Sequence, residues 1–180
     1  LLGRLHTFLQ NHRNSYQKKI DIRRPMFLWL EAYEKYRADG TIKEGVDIST
    51  YVENIKGLNT FATHCHGDVS PRNFLFENAT CSMIDFQNLG FGPAVIDLTD
   101  GMVEFASQGR SFKWDILKAF QEGYETVRKL SSKEQSCLEN LLISHLLIKQ
   151  VRLYRNHLTY GLELKKDKID GLNEALHTLL

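Results

Sequence analysis

The densest polar cluster in the chain is His66-Gly67-Asp68-Val69-Ser70-Pro71-Arg72-Asn73, and Met83-Ile84-Asp85-Phe86 brings a second acid twelve residues after Asn73. Two acids and an amide on loops at the ends of apolar segments form a set that phosphoryl transfer can use. That transition state asks the protein for positioning and charge neutralisation rather than covalent chemistry. Metal ions neutralise the phosphates, hard oxygen ligands hold the metals, and an acid orients the attacking hydroxyl. Asp85 and Asn73 are candidate oxygen ligands, and Asp68 is the candidate acceptor of the hydroxyl proton. Pro71 limits the freedom of the loop, and Gly67 lets the backbone bend where a Cβ would clash.

Three short segments of strand-like composition, residues 61–66, 73–76 and 81–86, must position these groups. A loop that leaves one strand at Gly67 and enters the next at Phe74 can turn Asp68 and Asn73 toward a common cleft. The following strand delivers Asp85 alongside. Around this β insertion at 61–88 the pattern is helical. Helices are expected over about 1–17, from Pro25 to Tyr36 with a stop at Asp39-Gly40, and from an Asp47 cap through Ile55 to Gly57. Further helices are expected over 94–107, 112–129, from a Ser131-Ser132 cap to Tyr160 with Gly161 ending it, and 167–180. The aromatic and leucine stripes on these helices read as core. The fold class expected is α+β, mostly α, in one unit.

H-G-D-x-x-x-x-N followed by I-D-F resembles the catalytic and metal-binding segments of the aminoglycoside phosphotransferase and choline kinase-like family, whose fold is similar to that of the protein kinases. The resemblance implies Asp68 as catalytic base, Asn73 and Asp85 as Mg²⁺ ligands, and His66 as a brace for the loop. Gly92-Pro93-Ala94-Val95-Ile96-Asp97-Leu98 resembles the second aspartate segment of the family, which implies that Asp97 ties the catalytic loop to the following helix. Arg72 is a candidate phosphate contact. Asp100 and Glu104 follow Asp97 at helical spacing and are candidates for the acceptor pocket, where acids would attract a cationic amine.

The implied cofactors are ATP and Mg²⁺, and the implied activity is transfer to a hydroxyl of a small molecule. Aminoglycosides, choline or ethanolamine, amino-acid alcohols and sugars are not ranked by it. No strand lysine or nucleotide-covering loop can be placed in the sequence, and the chain opens Leu1-Leu2-Gly3 without Met. The expectation is therefore a C-terminal lobe whose partner is a missing N-terminal lobe of the same polypeptide, inactive as a fragment. A non-catalytic kinase-like binding or regulatory module is the alternative.

The composition excludes other classes. With 23 Lys+Arg against 22 Asp+Glu the net charge is +1, too small a field to hold a nucleic acid or a membrane surface. No apolar run approaches the roughly 18 residues that span a bilayer. The cysteines Cys65, Cys81 and Cys137 form no C-x-x-C pair, which suits reduced thiols in a cytoplasm. His64, Cys65, His66 and Asp68 suggest a transition metal, yet no second Cys/His pair completes a four-ligand zinc site. Ser70 lies near His66 and Asp68, but the sequence is not G-x-S-x-G, and Pro71 removes the N–H that an oxyanion hole would use there.

Overall fold

The computed structural model describes residues 1–11, 20–43 and 45–180. Seven helices hold most of the described residues: α1 (Leu2–Asn11), α2 (Arg23–Ala38), α3 (Ser49–Lys56), α4 (Ala94–Ala106), α5 (Trp114–Glu125), α6 (Ser132–Tyr160) and α7 (Lys166–Leu179). Between α3 and α4 lie four short strands, β1 (Ala62–Cys65), β2 (Phe74–Glu77), β3 (Thr80–Met83) and β4 (Gly90–Pro93). The expected class, α+β and mostly α, is the observed one.

The core is organised around α4, in which every residue but Phe105 is buried. A helix buried on all sides needs apolar neighbours all round. Here α5 and α6 pack on it. Leu138, Leu141, Leu142, Leu146, Leu147 and Val151 give α6 an apolar stripe that joins Leu98 and Met102 in one cluster with Leu30 and Tyr33 of α2. The stripe runs out at Val151, and from Arg155 to Tyr160 the helix is exposed. Its start is fixed by a capping box in which the Ser131 hydroxyl and the Glu134 carboxylate each accept from the other's backbone N–H. Its end is Gly161 at φ 62°, a left-handed conformation that glycine adopts without strain.

One expectation needs revision. The β insertion expected at 61–88 reaches further, because residues 90–93 form β4, which pairs antiparallel with β1 in the register Ala62↔Pro93 to Cys65↔Gly90. Residues 20–22 extend this pair, with Phe91 N–H donating to Ile20 C=O and Ile22 N–H to Phe91 C=O. A Gly-x-Gly-Pro strand has no propensity signal, so its pairing is a tertiary effect. Gly92 has a close-approach role there, since a Cβ would lie 2.5 Å from the Ile22 side chain. The first helix is observed to Asn11, and residues 12–17 of its expected span lie outside the described residues.

Candidate active site

β1 runs out at Cys65, and the next two backbone N–H groups, which no strand partner reaches, are taken by the N-terminal turn of α4. His66 N–H donates to Asp97 Oδ2 at 2.5 Å and Gly67 N–H to Asp97 Oδ1 at 3.0 Å. One turn further along α4, Asp100 Oδ2 accepts Val69 N–H at 3.0 Å. Two buried carboxylates of a single helix thus hold three of four consecutive loop amides. Gly67 sits at φ +79°, and a Cβ there would lie 2.4 Å from the Asn88 carbonyl oxygen. The bend therefore requires glycine.

Each of the two carboxylates has a histidine behind it. His6 is fully buried and its Nε2 lies 3.1 Å from Asp97 Oδ2, while its Nδ1 lies 2.9 Å from the Tyr124 hydroxyl. Burial pushes the Tyr124 hydroxyl well above its usual range, so it stays protonated and can donate. Asp100 faces His145 Nδ1 at 3.4 Å. Burial would raise the Asp100 carboxyl, but the His145 hydrogen bond and charge, the Arg152 charge and the Val69 N–H outweigh it and hold the group at about 2.

The hairpin places the other polar groups. β2 pairs with β3 in the register Phe74↔Met83, and Asn73 C=O accepts Ile84 N–H at 3.0 Å, so the ladder continues by one residue toward the loop. Asp85 follows directly, near enough for its charge to act on Arg72. Pro71–Asn73 is a single 3-10 turn that buries Asn73, whose amide NH₂ donates to Asp68 C=O at 2.9 Å. Asp85 is exposed and sits at φ 65°, a sparsely populated conformation that Asp and Asn tolerate better than most residues. It leads into a second 3-10 turn, Phe86–Asn88. His66 Nε2 bonds Ile84 C=O at 2.8 Å, and its ring packs on Phe86 at 4.7 Å between centroids. His66 therefore joins the loop to the residues on either side of Asp85.

Asp68 is nearly buried, and Arg72 Nη2 donates to its Oδ2 at 2.7 Å. Asp68 first, then Glu104 and Asp85, raise the Arg72 guanidinium above its ordinary value, although burial opposes them. Asp68 and Asp85 therefore share one neighbourhood. Asp68, Ser70 and Arg72 line a cleft of about 530 Å³ whose far wall is α6, with Glu104, Lys149, Arg152 and Arg155 around it. Glu104 reaches the cleft, but Lys149 pairs with its Oε2 and Arg152 Nη1 with its Oε1 at 3.3 Å. Asp100 lies behind the loop, engaged by Val69 and His145. Neither carboxylate is left without a partner.

Sequence reasoning gave no particular role to His6, Tyr124, His145, Lys149, Arg152, Arg155 or Trp29. A signal for four of them existed: His145, Lys149, Arg152 and Arg155 follow one another at helical spacing of four, three and three, which puts them on one face of the helix. The side chains weighed as transition-metal ligands are not brought together. His64 packs edge-on against Phe91, while His66 is turned to Ile84. The fold does bring His6, Cys65 and Asp97 within reach of one another. Burial there raises the Cys65 thiol well above its usual range, and Asp97 already accepts three hydrogen bonds, so this trio is a satisfied core network.

Residues 21–130, more than half of the chain, match a model described as the phosphotransferase enzyme family. The chain belongs to that family. No curated protein matches it. The match takes in the loop at 66–73, Asp85 and both anchoring acids of α4, and it stops before α6. The cationic wall of the phosphotransferase cleft is thus contributed by residues outside the matched stretch. Among the described residues, no helix of this phosphotransferase is long and apolar enough to cross a membrane.

Proposed function

We propose that this phosphotransferase chain is the large, C-terminal lobe of a protein-kinase-like, ATP-dependent kinase that phosphorylates a hydroxyl of a small molecule. The observation that carries the reading is the common setting of three groups. Asp68 lines a cleft, Asn73 is fixed beside it, and Asp85 lies across the hairpin with no hydrogen bond or ion pair to the described residues.

In this reading Asp68 is the catalytic base. It accepts the proton of the acceptor hydroxyl, and the Arg72 guanidinium holds its carboxylate in place and lies ready for the transferred phosphate. The donor set suits Mg²⁺, since it is hard oxygen throughout: the Asp85 carboxylate and the Asn73 amide oxygen, which is left available because the amide nitrogen is engaged by Asp68 C=O. Bound there, Mg²⁺ would neutralise the ATP phosphates. Asp97 and Asp100 hold the loop backbone, so that Asp68 is placed with little freedom before the substrate arrives. His66 keeps Asp85 in register with that loop. A second lobe of the same polypeptide is required by this reading to grip the α- and β-phosphates.

The test is nucleotide titration of the full-length protein with and without Mg²⁺, followed by phosphoryl transfer from ATP to a panel of small alcohols. Mg²⁺-dependent ATP binding and turnover are expected. A full-length protein that binds no Mg-ATP would overturn the reading and leave a non-catalytic binding module.

A further inference from the structure

The α6 wall of the cleft carries more positive charge than its acids neutralise. Lys149, Arg152 and Arg155 recur every three residues and so line one face of the helix. Glu104 pairs with the first two and Asp100 also interacts with the Arg152 charge, so the cation of this face left without an acid is Arg155. Asp68 is matched by Arg72. Counting the six charged residues that line the cleft, four cations stand against two acids.

The surplus is held in place. The guanidinium of Arg155 lies 5.1 Å from the centroid of the Trp29 ring and that of Arg152 lies 5.5 Å from it, so one indole gathers two like charges. Arg155 makes no ion pair with the described residues. Nearby, burial and the charges of Lys149 and Lys165 push the Lys168 ammonium below its usual range. Ser70 adds a neutral group: its hydroxyl is buried on the loop side of the same cleft without a hydrogen-bond partner among the described residues. Like charges collected on one wall, opposite the carboxylate that would orient a hydroxyl, are arranged to be relieved by an anion.

Building on the kinase reading above, we propose that the acceptor carries an anionic group, a carboxylate or a phosphate, which Arg155 and Arg152 bind while the Ser70 hydroxyl and Asp68 engage its alcohol end. A quaternary or primary amine would meet this wall with like charge. The same cations could instead serve the phosphates of the nucleotide, and the experiment separates the two.

In the full-length protein with Mg-ADP present, thermal stabilisation is measured with glycerate, malate and glycerol phosphate, and with glycerol, ethanolamine and choline as neutral and cationic counterparts. The anionic members are expected to give the largest shifts, and these shifts should shrink as salt rises. For the anionic acceptor that turns over best, Arg155→Gln is expected to raise KM about 10- to 100-fold with a smaller effect on kcat, and Arg155→Lys to restore part of the loss. Preference for cationic or neutral members, or no shift with any anionic one, overturns the inference while Mg-ADP binding leaves the kinase reading standing. A rise confined to the KM for ATP in Arg155→Gln overturns it as well, by assigning the cations to the nucleotide. Absence of Mg-nucleotide binding by the unsubstituted protein removes both.

Discussion

Two pairs of aspartates, both within reach of one loop, have opposite surroundings. Asp97 and Asp100 at the start of α4 are buried, accept loop N–H groups and face His6 and His145. Asp68, as buried as Asp100, lines the cleft and pairs with the Arg72 side chain, Asp85 is exposed, and neither accepts a backbone amide among the described residues. A carboxylate whose oxygens are taken by backbone donors can hold a loop but has no free lone pairs for a substrate, whereas one that lines a cleft or stands exposed without backbone donors keeps them for chemistry. The first pair should therefore fail as structure when altered, and the second as activity.

The sharpest break of that contrast would come from Asp68→Asn. Turnover of the full-length protein is expected to fall by about 10²- to 10⁴-fold, the usual worth of a general base, with the unfolding midpoint nearly unmoved. Near-normal kcat would remove Asp68 from the chemistry. Asp97→Ala should show the converse. Removing the acceptor of one buried and one partly buried amide and of a buried histidine is expected to cost about 3–5 kcal/mol in urea unfolding, the scale for breaking a buried charged partnership. A loss under about 1 kcal/mol would mean that water satisfies those amides equally well.

Asp85→Ala sharpens the comparison from the exposed side. Mg²⁺-dependent nucleotide affinity should drop by about 10- to 100-fold, the range for losing a polar contact to a charged partner, while chemical stability changes by no more than about 0.5 kcal/mol. A large stability change would place Asp85 with the structural acids. The smallest effect concerns pH. The Asp100 carboxyl is depressed to about 2 in the folded chain from an ordinary value near 3.8. Its contribution is fully present above the unfolded value and is lost as pH falls from about 4 toward 2. A shift of this size corresponds to roughly 2 kcal/mol. Comparing acid unfolding of the parent with Asp100→Asn should show a shallower loss of stability in that window for the variant.

Much of the site was legible because it is local. Asp68, Arg72 and Asn73 lie within one turn and its flanks, and the hairpin that brings Asp85 alongside is formed by neighbouring segments, so residue type and spacing point to one neighbourhood. The helical frame was legible for a similar reason: the Ser131 cap, the Gly161 stop and the leucine stripe of α6 are short-range signals. β4 was not. Its Gly-Phe-Gly-Pro sequence lacks strand propensity and pairs with β1 because the chain returns past residues 20–22. Asp100 and Glu104 were legible as acids on a helix face, but not in their partners, which come from α6 some forty-five residues later.

Sequence alone therefore determined which hard oxygen donors lie a few positions apart, the set proposed for phosphoryl transfer, since donor type and local spacing belong to the residues themselves. Only the tertiary structure decided which aspartates hold the backbone and which face the cleft, and that the cleft wall is cationic. Burial and long-range pairing set those roles, because helical periodicity says which residues share a face but not what that face will meet.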